Sequence, residues 1–397
     1  MSKLEELLRQ YCPNGVNQRS IGSLIHKESL KAKNDLTVTQ VMAVSNSMGI
    51  IPNTDYRDRD LSSDDTSNYT IVRQGMFAYN PSRLNVGSFN WNRNTIDGLV
   101  SPMYVVFSVD AQHILPEYLY LVMTSSEVRK GINRWKEEGA RFRFDFENWD
   151  RIEIPVPPLP VQQEIIRILD NCSDYTGALI KELQSELVLL SEQRKYYLNR
   201  LVTFSTHYTT KVLRDVIKVR MCKRIKKEQT IEKGGIPFYK NGTLGKVADS
   251  FIPVELYEEF KSKYAFPKKG AVMLSTAGTV GRAYIYDGEP AYFQDSNVIW
   301  LENDESEVTN EYLYWFCVSM PWKLPSRGTI SHLHNDMIYD TSIVIPPKDI
   351  QQESVRLLKS AIDKYDRLKS CLTAEIVNRQ KQYDYYRDKL LSFEPLT

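Results

Sequence analysis

The chain has 397 residues, 42% hydrophobic and 25% charged, with 51 basic against 50 acidic side chains and a net charge of +1. That length predicts two cores with connectors, and the composition excludes a disordered or membrane-spanning chain. The near-zero charge excludes a uniform polycation, so any nucleic-acid contact must rest on local basic clusters.

The opening LEELLRQYCPNG reads as a brief amphipathic helix stopped by Pro13 and Gly15. It is too acidic and too broken in hydrophobicity for a signal peptide, and no apolar run approaches the ~18 residues of a spanning helix, so the expectation is a cytoplasmic protein. The five cysteines, Cys12, Cys172, Cys222, Cys317 and Cys371, stand singly with no CxxC pair, which supports neither a zinc knuckle nor a disulfide framework.

Residues 1–156 form a first predicted globule. It alternates β-rich runs (VTQVMAV, PMYVVFSV) with turns, a glycine loop NPSRLNVGSF, and a short helix at PEYLYLVMTS. RKGINRWKEEGARFRFDFENW follows, in which Phe142, Phe144 and Trp149 read as alternating into the core of a strand.

Residues 157–204 begin with two prolines, which exclude helix from the residue before them, and then run on without a break from Val161. Ile165, Ile168, Cys172, Tyr175, Leu179, Leu183, Leu187, Leu190, Tyr197, Leu201 and Phe204 recur mainly at steps of three and four. Such a narrow stripe is a coiled-coil seam, on a helix about 60 Å long.

A second globule over 205–345 opens on the basic run KVLRDVIKVRMCKRIKK. It continues through AVMLST, the glycine loop STAGTVGRAY, SNVIWLE, the short helix NEYLYWFCVS, and WKLPSRGTISHLHND. A second long helix over 346–397 repeats the seam with Val355, Leu358, Ile362, Tyr365, Leu368, Leu372, Ile376, Tyr383, Tyr386, Leu390 and Phe393.

The two helices are copies. Sliding the chain by 189 positions aligns 157–204 with 346–393 without a gap, with 17 of 48 positions identical. Weaker echoes upstream, PEYLYLVMTS with NEYLYWFCVS among them, extend the duplication to a whole globule plus its helix. Matching seams predict an antiparallel pair within one molecule, with a globule at each end and a pseudo-twofold axis. The alternatives are that each helix folds back on its own globule or drives a homodimer.

Paired globules, each followed by PPxxxQQE and a seam ending in a tyrosine pair and LxxF, resemble the DNA specificity subunit of Type I restriction-modification systems over essentially the full length. The resemblance implies a mixed α/β (α+β) fold with two target recognition domains, each reading half of a split DNA sequence. The long helices would serve as spacer and docking platform. It implies double-stranded DNA, two modification (methyltransferase) subunits and restriction (endonuclease/translocase) subunits as partners. No cofactor is expected on this chain, S-adenosylmethionine and ATP being expected on the partner subunits.

Candidate DNA contacts in the first globule are Arg83 in its glycine loop and Arg134, Lys136, Arg141 and Arg143. In the second they are Lys218, Arg220, Lys223 and Arg224 of the basic run, Ser275, Thr279 and Arg282 of the glycine loop, and Arg327, His332 and His334. Arginine takes guanine bidentately, and small residues let backbone approach a phosphate. The bland readings are a solvated lysine face for the basic run and ordinary β-turn packing for the glycine loops. Candidate partner contacts are Gln162, Gln163, Tyr196 and Tyr197, with their copies Gln351, Gln352, Tyr385 and Tyr386; the glutamines equally read as plain helix starts.

Catalytic readings find little footing. Tyr79-Asn80-Pro81-Ser82 departs from the NPPY motif of amino-methyltransferases at Ser82, and no GxG loop precedes it. GTLGK at Gly242 has Val247 where a P-loop needs Ser or Thr, and His332 with His334 lacks further metal-ligand residues nearby. The expectation is a noncatalytic DNA-binding subunit. Its rivals are a coiled-coil scaffold or adaptor with duplicated protein-binding globules, and a self-contained methyltransferase.

Overall fold

Consecutive prolines set where each long helix begins. The structure, a computed structural model, describes residues 2–46, 48–56, 65–137, 142–202, 208–278, 280–323 and 332–395, with backbone alone at 201 and 202. The first long helix is Leu159–Val202 and the second Lys348–Leu390. Pro158 O accepts from Val161 N at 2.9 Å and Gln162 N at 3.2 Å, and Pro347 O accepts from Gln351 N at 2.9 Å. With 44 and 43 residues, each helix is about 65 Å long.

The chain divides into two compact units, residues 1–182 with 375–397 and residues 183–374, so each unit takes the start of one long helix and the end of the other. In the first unit a four-stranded antiparallel sheet runs Ile25–Glu28, Val105–Val109, Phe77–Tyr79, Phe89–Trp91. In the second, Lys218–Met221, Val298–Glu302, Val272–Ser275 and Ala283–Ile285 pair in the corresponding order. The duplication therefore extends to sheet topology, where sequence identity has faded.

Both sheets are covered on both faces, which explains runs such as VMLS and VIWL. Successive side chains on a strand point to opposite faces. Phe77 and Tyr79 accordingly enter one core and Ala78 another, while Val272 and Leu274 part from Met273 in the same way. The main core of the first unit gathers Phe77, Phe107, Tyr118, Phe144 and Trp149 onto Val161, Ile165 and Leu169 of the first long helix. Phe144 and Trp149 are fully buried and Phe142 partly so. Trp149, however, lies in the 3-10 helix Phe146–Arg151, so a tight turn and not strand alternation drives it inward. The second unit gathers Leu213, Leu274, Leu301, Tyr312 and Leu333 onto Val355 and Leu358 of the second long helix.

Within each unit the two helix segments run in opposite directions. In the first, Ser173 hydrogen-bonds Tyr383 while Leu169 and Leu391 share a core. In the second, the Arg194 guanidinium lies 5.5 Å from the Tyr365 ring centre while Leu198 joins Val355 and Leu358. The expected stripe is displaced in places: Cys172 and Tyr175 are exposed, as are Tyr197 and Tyr386, and Leu368 is 42% exposed. Their neighbours Leu198 and Arg387 take the inward positions. Adjacent helical residues sit ~100° apart, so a stripe read one residue off lands on the flank. Of the remaining seam positions, Phe204 and the Leu201 side chain fall outside what is described.

Leu198 and Arg387 are the same position in the two copies, yet one is apolar and the other a cation, both about 5% exposed or less. Arg387 is answered by Asp384 at 3.0 Å and Asp388 at 2.8 Å, and Asp388 also accepts from Ser126 N at 3.3 Å, at the start of the helix Ser126–Arg134. Burial pushes the Asp388 carboxyl up, but Ser126 and Arg387 together hold it below its ordinary value. The buried charge is thus paired on both sides, as a charge at that depth requires.

The amphipathic helix Lys3–Tyr11 packs Leu4, Leu7 and Leu8, with its capping residue Cys12, onto the core that Leu390 and Phe393 also join, and Val16 N donates to Glu394 O at 3.0 Å. Lys3 also reaches Glu164 at 3.2 Å. Glu164, 3% exposed, takes two bonds from Arg167 at 2.6 and 3.0 Å. Arg167 is the largest cause that holds this carboxyl down, with Lys3 adding and burial opposing, and the result is a value of about 2. A depressed carboxyl stabilises the fold above its unfolded value, about 4.3, and that stability is lost as pH falls toward 2. The expected outcome is that Glu164→Gln flattens the acid-side loss of stability between those limits, seen in urea midpoints against pH. An unchanged slope would refute it.

Candidate nucleic-acid interface

The second unit builds a polar concavity from segments far apart in sequence. Ile236–Tyr239 pairs in parallel with Tyr292–Phe293, and Gln294 N continues the ladder to Tyr239 O at 2.8 Å. Gln294 Oε1 then accepts from Asn241 N at 3.2 Å, and Asn241 Nδ2 donates to Ala277 O. On the other side, Thr276 N donates to Asn297 O at 3.0 Å and Thr276 Oγ1 to Ser296 O at 2.7 Å. Leu333 N donates to Thr276 O at 2.7 Å, and Ala277 bridges His332. Four segments, at 240–242, 275–278, 294–297 and 332–334, are therefore fixed to one another by backbone and side-chain hydrogen bonds, a preorganised setting for the site.

A cleft of about 450 Å³ opens beside these loops, lined by Arg224, Lys227, Lys240, Gln294, Asp295 and Asn297. Hydrogen-bond donors dominate. Asp295 lies 3.7 Å from Arg224 Nε, and Lys240 reaches Asp249 at 3.1 Å. Lys240, Asn241, Gln294 and Asn297 were not legible as site residues, because a strand pairing 54 positions apart assembles them (Phe238 with Tyr292).

The predicted residues of this unit distribute unevenly. Arg224 lines the cleft and Lys223 stands over the Tyr264 ring at 5.2 Å. Lys218 and Arg220 lie exposed on the edge strand, Arg220 paired with Glu302 at 3.0 Å. Lys211 and Arg214 of the same basic run are also paired, with Glu307 and Asp340. Ion pairing thus answers part of the run, as the solvated-face reading anticipates.

Ser275 must be corrected as a contact. It is fully buried, and its Oγ accepts from Arg282 N at 3.2 Å, so it closes the turn and does not meet solvent. Arg282 is half-buried and leans on Gly242 O at 3.4 Å. His332 is half-buried, His334 is exposed, and their rings lie 4.7 Å apart. Thr279 and Arg327 lie outside the described residues.

Gly278 holds φ +65°, and a Cβ there would sit 2.7 Å from Asn241 Nδ2. Gly278→Ala is expected to cost about 1–2 kcal/mol through the left-handed backbone alone and to displace the Asn241 carboxamide. Chemical denaturation of the full chain checks it; an unshifted midpoint would show that the loop relaxes freely.

In the first unit the equivalent loop is Asn80–Ser88. Arg83 is exposed there; its backbone donates to Asn80 O at 3.0 Å and accepts from Ser88 N at 3.1 Å. Phe144 N donates to Pro81 O at 3.0 Å, the counterpart of Leu333 on Thr276. Arg134 and Lys136 are exposed at the end of the helix Ser126–Arg134. Arg143 is exposed but lies 2.9 Å from Asp145 and 3.7 Å from Glu137. The two carboxyls share a hydrogen bond that raises Glu137 and lowers Asp145, so an ionised partner already answers Arg143. Arg141 lies outside the described residues.

The glutamines at the helix starts separate into two kinds. Gln163 and Gln352 are exposed as expected. Gln162 and Gln351 are fully buried, which corrects their reading as outward contacts. Gln162 Oε1 accepts from Leu115 N at 2.9 Å while its Nε2 donates to His113 O and Pro157 O at 2.8 and 2.7 Å. Gln351 repeats this with Thr309 N at 2.9 Å and with Glu307 O and Pro346 O at 2.7 and 2.9 Å. Each one clamps the loop before a short helix, Pro116–Met123 or Asn310–Val318, to the root of a long helix. Tyr196, Tyr197, Tyr385 and Tyr386 are all exposed. Among the described residues no group of three or more His, Cys, Asp or Glu is placed to hold a metal ion, and no helix is long and apolar enough to cross a membrane.

The family model described as Type I restriction modification DNA specificity domain matches residues 67–189 and 206–378, together more than half of the chain. A putative type I restriction enzyme specificity subunit of Haemophilus influenzae is 45% identical over 251 residues, 61% of this chain and 64% of that protein. The chain thus spans a little under two thirds of that relative. The EcoR124I/EcoR124II specificity subunit of Escherichia coli is 26% identical over 325 residues, 74% of each chain. Among solved structures, an HsdS subunit from Thermoanaerobacter tengcongensis is alike in fold, with a TM-score of 0.58 at 14% identity over 96% of this chain and 97% of that one. A chain from a study of type I R-M system assembly reaches 0.72 at 15% identity, over 96% of this chain and 98% of that one.

Proposed function

The chain belongs to the family of Type I restriction-modification DNA specificity domains, and from that premise we propose that it is a noncatalytic subunit that reads a two-part DNA target and directs modification and restriction subunits to it. The observation that carries this reading is the repetition of one reader. Two sheets of the same strand order each present a loop after the third-listed strand that is braced by the segment before a long helix. Two like readers on continuous helices suit a target of two half-sites separated by unread base pairs, each half recognised by base contacts and registered by phosphate contacts.

Methyl transfer with S-adenosylmethionine, and ATP-driven translocation and cleavage, are assigned to partner subunits. The exposed tyrosine pairs, repeated in both copies together with Gln163 and Gln352, support docking of two modification subunits on the helices. A DNA reader of this kind works where the host DNA lies, in the cytoplasm. Co-expression of the full chain with a modification subunit tests the proposal. A salt-sensitive complex that binds and methylates one two-part sequence is expected. Binding without sequence preference would overturn it, and assembly with protein partners but no DNA would favour the scaffold reading.

A further inference from the structure

We infer that Arg224 reads a guanine in the half-target of the second unit, with Asp295 as the residue that orients it; the inference rests on the DNA-reading function proposed above. The Arg224 side chain is 78% exposed at the rim of the cleft, and its closest approach to a carboxylate is from Nε, 3.7 Å from Asp295, itself 25% exposed. A guanidinium is a planar fork with five N–H donors. With Nε on the side of the carboxylate, the end-on edge of the guanidinium, one N–H from each terminal nitrogen, is left as a pair of donors. Guanine N7 and O6 are the pair of major-groove acceptors that such a fork matches.

The surroundings favour guanine over adenine. Adenine in the major groove offers one acceptor and one donor, so a side-chain amide needs both its oxygen and its nitrogen to read it. Gln294 Oε1 already accepts from Asn241 N at 3.2 Å, which turns the carboxamide oxygen toward the Asn241 loop and Nε2, a donor, to the opposite side. Lys240 on the same cleft wall brings donors alone. With the Asp295 carboxylate beside Arg224, donors from Arg224, Lys227 and Lys240 outnumber the remaining acceptors of the cleft, and guanine presents two acceptors side by side.

The position of the carboxylate is particular to this unit, although Arg143 of the first unit also turns Nε to carboxylates, Asp145 at 2.9 Å and Glu137 at 3.7 Å. The strands Gly98–Val100 and Val105–Val109 of the first unit, and Tyr292–Phe293 and Val298–Glu302 of the second, are each joined by four residues. Counted across those loops, Pro102 stands where Asp295 does and Ser101 where Gln294 does. The first unit therefore lacks the orienting carboxylate at this place. Asp295 is held by its own turn, with Val298 N donating to Asp295 O at 2.9 Å, so the carboxylate is carried on fixed backbone.

The test uses the full chain co-purified with its modification subunit and a random-sequence duplex pool, with bound molecules sequenced for wild type, Arg224→Ala, Arg224→Lys and Asp295→Asn. Wild type is expected to recover a two-part motif with guanine in one half. Arg224→Ala is expected to lose that one preference by about 5- to 150-fold and to leave the other positions intact. Arg224→Lys keeps the charge without the fork and is expected to retain only part of the preference, and Asp295→Asn to weaken the same position. If Arg224→Ala instead lowers binding to all sequences equally and shallows the salt dependence by about 0.9, the arginine holds a phosphate and the inference fails. A wild-type motif left unchanged by Arg224→Ala also overturns it. A wild-type complex that recovers no motif overturns the DNA-reading function itself.

Discussion

Gln351→Leu is expected to unfold the second unit's junction with its long helix, at a cost of about 3–6 kcal/mol, because three backbone groups lose their partner; an unmade buried bond costs about 1–3 kcal/mol, and two of the three are part-buried, which places the sum in the lower part of the range of about 3–9 kcal/mol. The groups are Thr309 N, Glu307 O and Pro346 O, all held by one carboxamide that is 0% exposed. Gln351→Glu is the sharper variant: it keeps an acceptor for Thr309 N but sets oxygen against two carbonyl oxygens, and is expected to be about as damaging. Against a domain stability of about 5–15 kcal/mol such a loss is decisive. Gln162→Leu is expected to do the same in the first unit, through Leu115 N, His113 O and Pro157 O. Gln352→Ala, one position on and exposed, is expected to stay within about 0.5 kcal/mol. Hydrogen exchange locates the damage: protection is lost around 307–309 for the Gln351 variants and around 113–115 for those of Gln162. If Gln351→Leu and Gln352→Ala proved equally mild, the clamp would be unimportant.

The same pair of residues shows what sequence could and could not disclose. QQE after two prolines marks a helix start, and both helices begin there. Which glutamine turns inward depends on a loop some 40 to 50 positions upstream, whose free N–H and C=O groups no periodicity records. The seam has the same character. The three-four spacing identified two long helices, since these follow from local apolar recurrence, while their opposed course was expected only from the matching of the two seams. It misplaced Tyr197 and Tyr386, because an aromatic ring satisfies the pattern as well as Leu198 does and far better than Arg387. A buried arginine becomes intelligible only with Asp384, Asp388 and the start of the helix Ser126–Arg134 around it.

At the interface, the basic run and the glycine loops were visible as composition, and Arg224 was among the residues picked out. The neighbours that give it a role were not, for Asp295 comes beside it and Gln294 onto the same cleft through the parallel pairing of Tyr239 with Phe293. Ser275 failed for the opposite reason: a small polar residue beside glycines suits a ligand loop and a closed turn equally, and here its hydroxyl serves the turn.

Seven residues inserted after Glu182 and seven more after Ala374 are expected to move methylation from one set of genomic sites to another with the same half-sites and a longer gap. Those two points are where each long helix leaves one compact unit for the other, so contacts inside each unit keep their register. Ser173 still meets Tyr383, and Arg194 still lies over Tyr365. One heptad adds about 10 Å of helix and departs from two whole turns by only ~20°. At about 34 Å per turn of DNA, that corresponds to about three further unread base pairs. The duplex rotates by more than the helices do over that distance, so weaker binding is expected alongside the longer gap. Insertion into the first helix alone lengthens one member of the pair and not the other, and is expected to cost binding without producing a new target. The measurement is the methylated motif in a host carrying each variant with its modification subunit. An unaltered gap in the double insertion would mean that the helices do not set the spacing, and the two-reader proposal would lose its ruler.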